Sequence, residues 1–171
     1  MIKSNIINKC GKIKLVLTDV DGVLTDGGRY FSLKGEVMKK FHTRDGMGVN
    51  ILLRNGIKTC IVTKEKSPIV KKWAKEMKIH TIYSGVIQKE SILSKICKKF
   101  SLEKNEIAYI GDDVNDLKLM KQVGLSATPS DGINQAKKLA NYTCKSSGGN
   151  CAFREFVDLI LSSKSFSVTG Y

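Results

Sequence analysis

Five aspartates in two short segments are the residues of this sequence best suited to chemistry. Asp19 and Asp21 stand two apart and are followed by Gly22; Asp112, Asp113 and Asp116 share the run Gly111-Asp-Asp-Val-Asn-Asp116. Gathered in one crevice, such like charges repel unless something cationic neutralises them. A hard dication with oxygen ligands meets that need, and Mg2+ is the usual choice where a substrate brings phosphate. Helix capping is the competing explanation, with Asp112 or Asp113 at the head of a helix from Val114. Capping accounts for one or two of these residues and leaves the Asp19-Val-Asp21-Gly22 pair unexplained.

Bringing the two segments together requires a particular order of elements. The apolar run Lys12 to Thr18 predicts a buried strand, and Arg29 to Phe41 predicts a β-hairpin around Lys34-Gly35. Asp45 to Asn55, closed by Gly56, predicts a helix. Strands follow at Lys58 to Val62, Thr81 to Tyr83, Ile107 to Ile110 and Leu125 to Ala127. Helices are expected at Ser67 to Met77, with Ser67 as N-cap and Pro68 at the first position, and at Lys89 to Phe100. Further helices are expected at Val114 to Gln122, Ile133 to Leu139 and Ala152 to Leu161. This alternation predicts an α/β fold with a parallel sheet covered by helices on both faces, in a single domain over residues 1–171 with a frayed tail at 162–171. Ligands of such sheets bind beyond the C-terminal strand ends. That rule converges Asp19 to Gly22, Thr63 to Ser67 and Gly111 to Asp116 on one edge.

Asp19-Val-Asp-Gly-Val23, Thr63, Lys89 and Gly111-Asp-Asp-Val-Asn-Asp116, in that order, resemble the four motifs of the haloacid dehalogenase (HAD) phosphohydrolase superfamily, over about Lys12 to Leu161. The resemblance implies a HAD-like Rossmannoid core and a Mg2+-dependent phosphatase. Asp19 would be the nucleophile that forms an aspartyl-phosphate, and Asp21 the acid and then the base. Thr63 would hydrogen-bond the phosphoryl oxygens and Lys89 would stabilise the charge on Asp19 and the phosphoryl group. Asp19, the Asp21 backbone carbonyl and Asp112 would hold the metal, supported by Asn115 and Asp116. By themselves, Lys89 reads as a solvated lysine at a helix start and Thr63 as equally ordinary.

Only the hairpin at Arg29 to Phe41 stands where related enzymes insert a cap domain. Thr25-Asp-Gly-Gly28, that hairpin, Phe41-His-Thr-Arg-Asp-Gly-Met-Gly48 and the tail Ser147-Gly-Gly-Asn-Cys-Ala-Phe-Arg-Glu-Phe156 resemble the 3-deoxy-D-manno-octulosonate (KDO) 8-phosphate phosphatases. The resemblance implies a homotetramer in which hairpins form a central barrel and neighbours cover the site, and a place in lipopolysaccharide biosynthesis. Two positions depart from the pattern. Lys64-Glu65 replaces a Gly-Arg pair and is closer to phosphatases of nine-carbon sugar acids, the N-acylneuraminate or KDN 9-phosphate type, and Cys151 replaces a common Gly. Arg44, Glu65 and Arg154 are candidate substrate contacts, set against a subunit contact, a helix-flanking acid and a helix-start arginine. His42 reads as a hairpin-face residue and Trp73 as helix packing.

The composition narrows the class further. In 171 residues, 29 Lys and Arg against 16 Asp and Glu leave +13, which first suggests nucleic acid, anionic lipid or a small anionic substrate. The lysines are spread in pairs such as Lys39-Lys40, Lys71-Lys72, Lys98-Lys99 and Lys137-Lys138, read as solvated faces. No basic run or interleaved aromatics support a nucleic-acid groove. With 42% apolar residues and 2 Pro, global disorder is excluded. No run reaches the ~18 apolar residues of a membrane span, the N-terminus carries no secretory h-region, and five unpaired-looking cysteines suit a reducing compartment, so a cytoplasmic location is expected. Two alternatives stay open: a phosphatase of other monoesters such as polynucleotide 3′-phosphate, and a non-catalytic oligomerising module like the domain that follows some CMP-sialic acid synthetases.

Overall fold

The computed structural model describes residues 4–163. A helix that the sequence reading missed, α1 (Ser4–Lys12), precedes the first strand, which begins later than expected, at β1 (Leu15–Thr18). Then come the hairpin strands β2 (Tyr30–Ser32) and β3 (Gly35–Met38), α2 (Thr43–Arg54), β4 (Lys58–Thr63), α3 (Pro68–Glu76) and β5 (Thr81–Ser84). The chain continues with α4 (Leu93–Phe100), β6 (Ile107–Ile110), α5 (Leu117–Met120), β7 (Leu125–Thr128), α6 (Asn134–Leu139), β8 (Tyr142–Thr143) and α7 (Ala152–Ser162). The expected frayed tail is helical as far as Ser162, and 164–171 lie outside the described residues.

Six parallel strands form one sheet in the order β5-β4-β1-β6-β7-β8. The apolar runs of the central strands β1 and β6, buried at every position, suit it, because a parallel sheet is covered on both faces. Side chains alternate accordingly. Val16, Ile61, Ala108 and Ile110 join α1, α2, α3 and α7 in one core, while Leu15, Leu17, Cys60, Val62, Ile107 and Tyr109 join α4, α5 and α6 in the other. Burial of Phe153, Phe156, Val157 and Ile160 seats α7, each contributing about 2 kcal/mol. The chain runs outward from β1 to β5 on one side and from β6 to β8 on the other, so the order reverses between β1 and β6. Ligand crevices open at such reversals, at the strand C-termini.

Several expected boundaries shift. The helix expected at Val114 shrinks to α5 because residues 112–116 form a turn around the Asp116 side chain. The helix expected from Lys89 starts as a 3-10 turn over Lys89–Ile92, and β8 went unread. Ser67 precedes α3 without a side-chain cap bond; its hydroxyl donates instead to Glu36 of the hairpin at 3.4 Å. His42 caps α2 by accepting from the Arg44 N–H, and Trp73 stacks on Phe41 at 4.5 Å.

Candidate active site

Asp19 follows β1 and extends its ladder, its N–H donating to the Ile110 carbonyl at 3.0 Å. That bond places the Asp19 side chain beside the turn after β6, at the reversal of strand order. Lys89 reaches in from its 3-10 turn with its side chain wholly buried, and its ammonium lies 2.7 Å from Asp19 Oδ2 and 2.6 Å from Asp116 Oδ1. Asp116 is saturated: Oδ1 also accepts from the buried Tyr109 hydroxyl, and Oδ2 accepts the N–H groups of Asp112 at 2.9 Å and Asp113 at 3.1 Å. Asp113 Oδ1 accepts only from the adjacent Val114 N–H, so neither Asp112 nor Asp113 caps a helix as the sequence suggested: α5 begins at Leu117, after this turn. Asn115 stands half-buried on the same turn.

Asp112 contrasts with Asp116. Its Oδ1 is buried and accepts no hydrogen bond. Carboxylate oxygens of Asp19, Asp112 and Asp116 lie within 4.8 Å of one another. Because Asp116 has no lone pair to spare, Asp19 and Asp112 are the side chains that fit a cation. Gly22, at φ +86°, makes room for them, since a Cβ there would meet Asp112 Oδ2 at 2.1 Å. Burial pushes Asp19 up to about 7, with Lys89 pulling it down and Asp116 adding to the push. Burial and then the charges of Asp19 and Asp116 push Asp112 up to about 8, against the pull of Lys89. Lys89 keeps its proton more tightly than a free lysine because Asp19 and Asp116 outweigh its desolvation. Two carboxyls this reluctant to ionise, one with an orphaned oxygen, suit a dication that replaces their protons.

Asp21 is half-buried, and its Oδ1 accepts directly from the ammonium of Lys39. Read from sequence as a solvated lysine, Lys39 has no side-chain exposure; it also pairs with Glu36 at 3.0 Å. Lys71, Lys72, Lys98, Lys99 and Lys138 are exposed, as expected. Thr63, buried at the end of β4, accepts from the Glu65 N–H at 3.2 Å, which leaves its hydroxyl proton for a ligand oxygen. Glu65 faces the hairpin, 4.0 Å from Arg29. Arg44 and Arg154 line a separate surface cavity of about 450 Å³ with Ser146, Cys151, Glu155 and Asp158. There Arg154 Nε donates to Asp158 at 2.8 Å.

Gly148 and Gly149 bring the C-terminal segment against the loop after β1. The Gly149 N–H donates to the Val23 carbonyl at 2.9 Å, and a Cβ on Gly148 would lie 2.0 Å from the Gly22 carbonyl oxygen. Sequence reading missed Lys39 and Tyr109. A tyrosine in the apolar run Ile107 to Ile110 was a usable signal, because a buried hydroxyl needs a polar partner. Lys39, at the end of an exposed hairpin, carried none.

Residues 53–150 match the haloacid dehalogenase-like hydrolase family. The chain is 35% identical over 156 residues to the 3-deoxy-D-manno-octulosonate 8-phosphate phosphatase of Haemophilus influenzae, covering 91% of this chain and 87% of that one. A solved 3-deoxy-D-manno-octulosonate 8-phosphate phosphatase from Moraxella catarrhalis, in complex with magnesium ion, phosphate ion and KDO, superimposes with a TM-score of 0.91 at 36% identity, covering 95% and 94% of the two chains. The Yersinia pestis phosphatase of the same name gives 0.92 at 33% identity, covering 94% and 87%. Similarity that holds along nearly the whole chain, in both sequence and fold, makes this protein a member of the haloacid dehalogenase-like hydrolases and, among them, of the 3-deoxy-D-manno-octulosonate 8-phosphate phosphatase family.

Proposed function

We propose that this protein is a Mg2+-dependent phosphatase that removes the phosphate of KDO 8-phosphate through an aspartyl-phosphate. The observation that carries the reading is the buried Asp19 carboxylate, held 2.7 Å from Lys89 beside the unpartnered Asp112 oxygen. An Asp19 oxygen attacks phosphorus while the bond to the sugar oxygen breaks, and the proton of Asp21 goes to that oxygen. Asp21 then takes a proton from the water that attacks the aspartyl-phosphate, which frees phosphate and restores Asp19. The Thr63 hydroxyl and Lys89 hold the phosphoryl oxygens, and Asp116, with Asn115 beside it, holds Lys89 and the 112–113 backbone in place. Mg2+, held by Asp19, Asp112 and the Asp21 backbone carbonyl, supplies positive charge against the phosphoryl group when bound.

The assembly is a homotetramer built through the hairpin, a reading supported by five outward apolar side chains there: Tyr30, Phe31, Leu33, Val37 and Met38. Arg44 and Arg154 then meet the sugar acid's carboxylate from a neighbouring subunit, a reading supported by their place in a cavity that none of the motif residues lines. Glu65, beside the hairpin, reads a hydroxyl of the leaving sugar. Among the described residues no helix is long and apolar enough to cross a membrane. The five cysteines are free thiols, which supports a cytoplasmic location.

Phosphate release from KDO 8-phosphate and N-acylneuraminate 9-phosphate, with and without Mg2+, tests the reading. The eight-carbon ester gives the higher kcat/KM, metal removal abolishes turnover, and Asp19→Asn loses at least about a thousandfold. Undiminished activity in Asp19→Asn overturns the mechanism, and preference for the nine-carbon ester overturns the substrate.

A further inference from the structure

Two lysines are buried among the described residues, Lys89 and Lys39, and each lies between two carboxylates. Lys89 joins Asp19 to Asp116. Lys39 joins Asp21 to Glu36, and Glu36 is held in turn by Arg29 Nε at 3.2 Å and the Ser67 hydroxyl at 3.4 Å. A lysine loses much of its hydration on burial, which two hydrogen-bonded carboxylates offset. With no side-chain exposure, Lys39 is enclosed away from solvent, and its ammonium pairs with the carboxylates of Asp21 and Glu36.

We propose that Lys39 is a positioning residue: it fixes the Asp21 carboxyl where its proton reaches the leaving oxygen, with Glu36 as its anchor. The inference rests on the phosphatase reading above. If Lys39 were lost, Asp21 would keep its carboxyl and only the long 3.5 Å hydrogen bond from the Thr25 hydroxyl to aim it. As Asp19 forms its bond to phosphorus, the bond from phosphorus to the alkyl oxygen breaks. The electron pair stays on that oxygen, and the Asp21 proton joins it. An alkoxide needs that proton, whereas p-nitrophenolate leaves as a stable anion. The parameter kcat/KM reports events up to aspartyl-phosphate formation, so a defect in aiming Asp21 depends on the leaving group there.

The test compares kcat/KM on KDO 8-phosphate and p-nitrophenyl phosphate for Lys39→Met, Glu36→Gln, Asp21→Asn and the double variant Asp21→Asn/Lys39→Met. Lys39→Met is expected to lose about 10- to 100-fold on the sugar ester, mainly in kcat, and less than about threefold on the aryl ester. Glu36→Gln shows the same split to a smaller degree, and the double variant is no worse than Asp21→Asn. Equal losses on both esters, no loss on either, or additive losses in the double variant overturn the proposal. Should circular dichroism show Lys39→Met unfolded, Glu36→Gln decides by the same criterion. A wild-type enzyme that cleaves p-nitrophenyl phosphate but not KDO 8-phosphate overturns only the substrate reading, and glycerol 3-phosphate then serves as the alkyl ester. A wild type inactive on all three overturns both readings.

Discussion

Two carboxylates on one turn, Asp112 and Asp116, have opposite surroundings, and the difference sets how the metal site responds to pH. Asp116 is saturated by donors, whereas Asp112 keeps a buried, unpartnered oxygen and is pushed up to about 8. An unfolded aspartate titrates near 4, so the metal-free folded state binds a proton more tightly than the unfolded chain. Its stability therefore falls as pH rises from about 4 through 8, and below about 8 a cation must displace that proton. The rise in Tm on adding Mg2+ is expected to grow between pH 6 and pH 8 and to level above it. Each displaced proton contributes at most about 1.4 kcal/mol per pH unit, a shift of a few degrees for a chain of this size. Scanning fluorimetry in chelator and in Mg2+ measures this, and Asp112→Asn should remove most of the increment. At this scale Asp19, Asp21, Lys89 and Asp112 were legible because their order along the chain is diagnostic. Lys39 was not, because its burial comes from Glu36 and Asp21, which only the folded hairpin brings to it.

Among elements, the C-terminal segment is secured through one side chain of α7. Glu155 accepts from the Lys145 N–H at 2.8 Å, the Ser146 N–H at 2.9 Å and the Tyr142 hydroxyl at 2.7 Å, tying β8 and the turn after it to the helix. Burial alone would raise the Glu155 carboxyl, but these donors outweigh it and hold it below the usual range. A lowered carboxyl contributes stability that is present above the unfolded value near 4.3 and is lost as pH falls through the folded one. Glu155→Gln is expected to cost about 1–3 kcal/mol in urea unfolding at pH 7, and the difference should narrow below about pH 4. Strand and helix identities were largely readable from apolar runs and Gly or Pro punctuation. The missed α1 and β8 depend on partners elsewhere in the fold, α7 and β7, whereas the shortened α5 depends on side-chain bonds within a turn. The Asp116 carboxylate, for instance, collects the N–H groups that a longer helix would have taken up differently.

For the whole molecule, the excess of positive charge proved a weaker guide than the placement of a few acids. The hairpin is the more informative surface, since its apolar side chains face outward while Lys39 faces inward. Substituting Phe31→Glu together with Leu33→Glu is expected to convert the proposed tetramer to smaller species, read as a fall in mass by light scattering, with the secondary structure intact. An unchanged mass would remove the hairpin from the interface. No spacing in the sequence encodes such an assembly; its signature is an apolar hairpin surface left exposed by the described residues.

The placement of β1 also has a consequence in time. Its residues pair with β4 on one side and with β6 on the other, so that Leu15 stands beside both Lys58 and Ile107. At roughly 5–20 residues per second, a ribosome needs about 5–20 s after making β1 to finish its second neighbour. Throughout that interval the nascent chain displays the apolar strand β1 with at least one edge unpaired, a template for wrong partners and a natural target for a holding chaperone. Asp19 and Asp112 sit at the ends of β1 and β6, so catalytic competence is among the last properties the growing polypeptide acquires.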